Sequence, residues 1–245
     1  MKISIRKIKS NLNYVSLFIL LCLSQQVICQ SIPYSSRSKK AIEAQKDLLI
    51  EQFNDRDLTL GSEVFLRIFK ETHELEVWIK QDSIFKLFTT YNICTYSGNL
   101  GTKKKEGDGK SPEGFYTIKP PQLHPTSAFH LAFNIGYPNQ LERSLGYTGY
   151  AIMIHGNCVS DGCYAMTDEI IEKLWTIVTA AFENGQKEIP LHIFPFHLTD
   201  QNIESHQSNP SISLWENMQK EYHFFEQNKQ LPCVIVKGNH YDISN

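Results

Sequence analysis

Cysteine is scarce in this chain: six in 245 residues, two of them (Cys22 and Cys29) inside the first thirty. The four that remain, Cys94, Cys158, Cys163 and Cys233, are too few to staple a scaffold of this size. Long apolar runs are also missing. Val15–Leu23 is the longest candidate near the start and is too short to span a bilayer comfortably. Basic excess is absent as well. The formal charge is −2 and becomes −6 once the first 29 residues, with Lys2, Arg6, Lys7 and Lys9 and no acid, are set aside. That balance excludes nucleic acid as a partner, because duplex binding needs clustered Lys and Arg facing phosphate. The one basic cluster, Lys103-Lys104-Lys105, is followed at once by Glu106 and Asp108 and reads as a solvated loop. Neither internal repeats nor low-complexity tracts occur.

The first residues read as an address. A basic n-region and the apolar stretch Val15–Leu23 precede Val27-Ile28-Cys29, so residues 1–29 are expected to be an export signal, with the mature chain starting near Gln30. Lipidation at Cys29 and an uncleaved anchor are the alternatives, the former disfavoured by bulky Ile28. No stable membrane span is expected after cleavage.

Residues 30–60 are expected to form a lead-in, flexible over Ser31–Ser38, and then a helix to Asn54, with Ile42, Leu48, Leu49 and Phe53 turned inward. Residues 61–200 carry the chemistry. Strands are expected at Glu63–Phe69, Glu74–Lys80, Ile84–Tyr91, Gly114–Ile118, Phe129–Ile135, Ala151–Ile154 and Leu191–Phe194. Thr167 or Asp168 caps a helix ending at Asn184, with Trp175 on its apolar stripe. Residues 201–245 are expected to be a helical extension, Ser211–Asn228 with Trp215 inward, and a short strand. The fold class is predominantly β with a few packed helices. Cys94 and Cys233 sit in apolar runs and read as buried strand residues.

The segment Ile154-His155-Gly156-Asn157-Cys158-Val159-Ser160-Asp161-Gly162-Cys163 follows an apolar run and precedes a helical pattern. A sulfur nucleophile needs a base, a turn tight enough to expose it, and backbone N–H groups for a developing oxyanion. This segment supplies all three, with Cys163 as the thiol and His155 as its base. Gly162 permits the tight backbone. A helix start close behind Cys163 would lower its pKa and favour thiolate near neutral pH. Two other readings stay open. His155, Cys158 and Cys163 are three plausible zinc ligands without a fourth, and Cys158 with Cys163 could close a disulfide if the turn folds back. Cys158 otherwise packs beside the site.

The motif resembles that of L,D-transpeptidase (YkuD-type) domains, in which His-Gly precedes Ser-x-Gly-Cys, and its form through Tyr164-Ala165-Met166-Thr167 resembles the YafK-like branch. Three further segments are similar to that branch: Tyr91-Asn92-Ile93-Cys94 with Ser97-Gly98-Asn99-Leu100-Gly101; Gly107-Asp108-Gly109-Lys110-Ser111-Pro112-Glu113-Gly114-Phe115-Tyr116; and Pro190–Phe196. The resemblance runs from about Val64 to Thr199.

It implies a mostly β catalytic domain acting on peptidoglycan stem peptides. Cys163 would attack the carbonyl of the diamino acid at stem position three and expel the terminal D-alanine. His155 would take and return the proton, and the Gly156 carbonyl would orient the imidazole. Backbone N–H groups of Asp161, Gly162 and Cys163 would hold the oxyanion, and an incoming amine would resolve the thioester. No cofactor is implied, neither metal nor ATP. Ser160, Tyr164, Glu113 and Tyr116 are candidate substrate contacts, and Lys110 a weaker one; His192 and His197 read as structural. Many relatives place histidine between Ser and Gly, and arginine or asparagine shortly after Cys; here Asp161 and Tyr164-Ala165 stand there. Some members of the branch resemble hydrolases that release an attached protein from the wall. Transfer, hydrolysis and non-catalytic wall binding are therefore distinct expectations, all in an exported, periplasmic setting.

Overall fold

The computed structural model describes residues 31–244, so the expected export signal, its cleavage at Cys29 and the lipidation alternative lie outside the described residues. Within them no helix is long and apolar enough to cross a membrane. Ile32–Asn245 gathers into one compact unit.

The lead-in is anchored rather than loose. The Ser35 hydroxyl donates to Pro125 O (2.7 Å), and Arg37 donates to Ser127 O (2.8 Å) and His130 O (2.7 Å). Ser35 and Ser38 form a capping box that opens helix α1 (Ser36–Asn54). Ala41, Gln45, Leu49 and Phe53 face inward, whereas Leu48 is exposed: the helix is rotated slightly from the expected stripe.

Three consecutive strands follow, β1 (Val64–Phe69), β2 (Glu74–Gln81) and β3 (Ile84–Asn92), joined as antiparallel hairpins. With β4 (Gly114–Ile118) and β9 (Ile189–Phe194) they make a five-stranded sheet in the order β3-β2-β1-β9-β4, in which β1 and β9 run parallel. Strand β1 is buried on both faces, which is why it reads as a nearly continuous apolar run. Val64, Leu66 and Ile68 enter the main core beneath α1, while Phe69 faces the opposite side, following the two-residue period of a strand.

A second, four-stranded sheet carries the motif. Its order is β5 (Leu123–His124), β6 (Ala132–Asn134), β7 (Met153–His155), β8 (Tyr164–Ala165). Strand β6 is shorter than expected because the chain reverses at His130, which takes φ +68°. Helix α2 (Gln140–Ser144) lies between β6 and β7. Helix α3 (Asp168–Glu183), N-capped by Thr167, packs against α1 and stacks Trp175 on Phe133 of β6 at 5.4 Å.

The C-terminal elements close the other face of the large sheet: α4 (Asp200–Ser205), α5 (Ile212–Asn228) and the hairpin β10 (Cys233–Lys237) with β11 (His240–Ser244). Trp215 is fully buried there with Phe69, Phe194 and Phe196. Cys233 does form part of a strand, but it is exposed rather than buried, because β10 belongs to a two-stranded hairpin with one face to solvent. The architecture is predominantly β with a few packed helices.

Candidate active site

His155 is the last residue of β7, a central strand of the small sheet. It pairs antiparallel with Ala132 of β6 and parallel with Ala165 of β8. Two neighbours hold it rigidly, and only 2% of the residue is exposed. The ring of Phe129 lies over the imidazole at 4.6 Å between centroids. His155 Nδ1 is 2.6 Å from Gly156 O. A carbonyl can only accept, so Nδ1 carries the proton and the neutral ring keeps Nε2 as its basic nitrogen. Burial pushes the His155 pKa below its ordinary value, and the contact with Gly156 O offsets this only in part.

The turn that follows is tightly held. Gly156 N–H reaches Phe129 O at 3.0 Å, Asn157 N–H donates to Asp168 Oδ1 (2.8 Å) and Cys158 N–H to Met166 O (3.1 Å). A Cβ on Gly156 would stand 2.5 Å from Asp168 Oδ1, so a side chain here would evict the carboxylate that fastens Asn157. Cys158 is disulfide-bonded to Cys94. This corrects three sequence expectations at once: Cys94 is not a free buried thiol, Cys158 does more than pack, and its disulfide partner is not Cys163. It also dismantles the zinc reading, since Cys158 has no thiolate to offer beside His155 and Cys163. Among the described residues no group of three or more His, Cys, Asp or Glu is arranged to hold a metal.

Cys163 immediately precedes β8 and is a free thiol. Met153 N–H points to its Sγ (3.4 Å), and the thiol faces Ala151 O (3.7 Å). The sulfur therefore lies against the backbone of β7 at Met153, two residues before His155 in the chain. Burial pushes the Cys163 pKa above the ordinary thiol value. Met153 N–H and Lys103 pull the other way without cancelling it, and Asp161 adds to the rise. The expected helix-mouth effect is absent because α3 begins only at Asp168, with β8 intervening. Both shifts favour thiol and neutral imidazole over thiolate and imidazolium.

The other candidate residues divide sharply. Ser160 belongs to the turn itself: its hydroxyl donates to Cys163 O (2.8 Å) and contacts Ser97 Oγ (2.8 Å). The Gly162 N–H, expected to face an oxyanion, donates to Ser97 Oγ at 2.6 Å, whereas no acceptor among the described residues takes the N–H of Asp161 or Cys163.

Tyr164, Glu113 and Tyr116 are buried. Tyr164 is fully buried and donates to Pro112 O (2.6 Å). Tyr116 is buried and donates to Glu142 (2.5 Å). Glu113 is closed from solvent, paired with Lys70 Nζ (2.8 Å) and accepting from Gly101 N–H (2.8 Å) and Trp215 Nε1 (2.7 Å). Each is a framework residue under the nucleophile turn, because a buried polar group must spend its hydrogen bonds inside the protein.

Lys110 is half-buried with its main chain beside the turn: its carbonyl lies 3.7 Å from where a Gly162 Cβ would stand. Lys103 is buried against Asp108 (2.9 Å), so the basic run is not wholly solvated. Burial opposes it, but Lys103 and the N–H groups of Lys104, Lys105 and Lys110 hold the Asp108 carboxyl down at about 2. His192 is buried between Phe65 and Phe115, and His197 pairs with Glu74 (2.8 Å).

Sequence reasoning missed Ser97, Ser111 and Asp168. Ser97 and Ser111 did stand in the two upstream motifs. The even number of cysteines in an export-type chain was an available sign of a disulfide.

The chain is 43% identical over 185 residues to YafK of Escherichia coli K12, a protein provisionally named as an L,D-transpeptidase, covering 76% of this chain and 75% of that one. Among solved structures, the helical cell shape determining protein Pgp2 of Campylobacter jejuni aligns at 19% identity and TM-score 0.44, over 81% of this chain and 82% of that one. Bd1075 of Bdellovibrio bacteriovorus aligns at 19% identity and TM-score 0.42, over 72% and 78% respectively. The L,D-transpeptidase (YkuD) catalytic domain matches residues 64–191, more than half of the sequence, and the chain belongs to that family.

Proposed function

We propose that this protein is an exported, periplasmic cysteine acyl-transfer enzyme acting on peptidoglycan stem peptides. Cys163 is the nucleophile and His155 the proton acceptor and donor. The observation that carries the reading is the placement of His155 at the end of β7 and of Cys163 immediately before its parallel neighbour β8, with Nδ1 committed to Gly156 O so that Nε2 is left to accept a proton. Family membership supports the same chemistry.

The thiol proton passes to Nε2 as sulfur bonds to the carbonyl carbon of the third stem residue. Charge develops on the carbonyl oxygen, and the unengaged N–H of Cys163 is placed to meet it. The C–N bond to the terminal D-alanine then breaks, and the imidazolium returns its proton to the leaving amine. An acceptor amine attacks the thioester, loses its proton to His155 and regenerates the thiol. Because burial keeps both groups neutral at rest, deprotonation belongs to the attack itself, as general-base catalysis.

Intact mass of purified protein, incubated with defined stem tetrapeptides with and without an added amine, tests this. Wild type gains an acyl adduct and releases D-alanine, whereas Cys163→Ala does neither. Amine-dependent product marks a transferase. Turnover without amine marks a hydrolase that releases wall-attached peptide or protein. Absence of both adduct and D-alanine, with the fold and free thiol verified, overturns the reading in favour of a wall-binding module.

A further inference from the structure

The hydroxyl groups around the nucleophile turn have a forced direction. Cys163 O can only accept, so Ser160, 2.8 Å away, donates its single proton there. In the Ser97–Ser160 contact (2.8 Å) Ser97 must then be the donor, and Ser97 Oγ in turn accepts from Gly162 N–H at 2.6 Å. A second strut runs parallel. Ser111 Oγ accepts from Ser97 N–H (2.9 Å) and lies 3.3 Å from Cys163 O, while Ser111 N–H donates to Ser97 O (2.9 Å).

The peptide group before Gly162 is thus pinned to Ser97 directly, and the one after Cys163 is pinned to Ser160 and Ser111, each of which is itself hydrogen-bonded to Ser97. The N–H of the peptide between them, which belongs to Cys163, has no acceptor among the described residues. Gly162 takes φ +97°, a conformation an unbraced chain would leave readily. Ser97 is itself fixed in place: Cys94 is bonded to Cys158 of the turn, Cys94 N–H donates to Ala165 O (2.8 Å), and Ala165 N–H donates to Thr95 O (2.9 Å).

We infer that Ser97 is a positioning residue for the proposed reaction: by holding Gly162 N–H it aims the Cys163 amide at the oxygen, and the sulfur at the carbon, of one acyl carbonyl. The inference rests on the acyl-enzyme reading above. Ser97 does not touch the reacting atoms. Its hydroxyl acts through the Gly162 peptide, and misplacing the amide donor by a fraction of an ångström slows acylation without weakening substrate capture.

The test compares wild type, Ser97→Ala and Ser97→Thr in single-turnover adduct formation with stem tetrapeptide, alongside amide hydrogen exchange at Gly162. Ser97→Ala slows the maximal acylation rate by about tenfold with little change in half-saturating peptide. It also speeds exchange at Gly162. Ser97→Thr, which keeps the hydroxyl, restores both. Unchanged exchange at Gly162, or an acylation rate equal to wild type, overturns the inference while leaving the acyl-enzyme reading intact. A weakened half-saturation with the maximal rate preserved also overturns it, since Ser97 would then be a binding residue. A wild type that forms no adduct removes the acyl-enzyme reading and this inference with it.

Discussion

Cys94 and Cys158 form a disulfide that closes 64 residues of chain and fastens the turn before Cys163 to the segment after β3. A cross-link of that span removes about 4 kcal/mol of unfolded-chain entropy in the loop-closure account, and measured effects run at about 2–4 kcal/mol. The Cys94→Ser/Cys158→Ser double variant is therefore expected to lose about 2–4 kcal/mol in denaturant unfolding. Cys233→Ser, at an exposed free thiol, is expected to lose nothing measurable. Equal stabilities for the double variant and wild type would refute the linkage.

Lys70 and Glu113 form an ion pair with both side chains closed from solvent. Burial pushes the Lys70 ammonium below its ordinary pKa, and Glu113 opposes that shift. Lys70 also donates to Gly101 O and Ser111 O, so the pair ties the Gly-rich loop to β1. Removing one partner strands the other, at a cost of about 3–5 kcal/mol. Lys70→Met or Glu113→Leu should each lower stability by that amount, and the Lys70→Met/Glu113→Leu pair should recover part of the loss. A double variant no better than the sum of the singles would show that loop hydrogen bonds, not stranded charge, set the cost.

How far the sequence was legible follows from this pair. Strands β1 to β3 announce themselves through local pattern and hairpin links, and they lie within a residue or so of expectation. The turn from His155 to Cys163 was legible as a turn at a strand's end because turn chemistry is written in neighbouring residues. Glu113, Tyr116 and Tyr164 were not. Each is a polar residue near the motif, and only a long-range partner tells a framework residue from a substrate contact: Lys70, Glu142 and Pro112 O in these three cases. The Cys94–Cys158 bond failed to appear for the same reason, since its two halves sit in segments that meet only after the small sheet forms. Cys233 misled in the opposite sense, because an apolar strand in a two-stranded hairpin buries one face only.

Glu142 gives the fold a pH signature. Burial pushes its carboxyl up to about 7, against the hydrogen bonds from Tyr116 O–H and Asn139 N–H that favour the ionised form. The folded protein therefore holds this proton where the unfolded chain, at the ordinary 4.5, has lost it. Its contribution to stability is whole below pH 4.5 and is lost as pH rises to about 7, an effect of about 3 kcal/mol at most. Glu142→Gln cannot ionise, and its one amide oxygen keeps an acceptor for one of the two donors, Tyr116 O–H or Asn139 N–H, a loss that does not vary with pH. The difference in unfolding free energy between wild type and Glu142→Gln should shift steadily in favour of the variant across that window. A difference independent of pH would place the titration elsewhere.

The resting charge of the nucleophile can be read directly from its alkylation. In a Cys233→Ser background Cys163 is the sole free thiol among the described residues. Burial raises its pKa above the ordinary thiol range, and burial of His155 lowers the imidazole, so each shift favours the neutral pair. A thiol whose pKa lies above the ordinary range is almost wholly protonated at pH 7. Iodoacetamide labelling should then climb about tenfold per pH unit from 7 to 8, with no plateau near neutrality. His155→Ala should leave that climb nearly intact, because the imidazole does not generate the resting thiolate. Acylation by stem peptide should instead collapse in the same variant, since proton transfer to Nε2 accompanies the attack. A labelling plateau below pH 7 that vanishes in His155→Ala would mean that a preformed thiolate–imidazolium pair, and not general-base attack by a neutral histidine, starts the reaction.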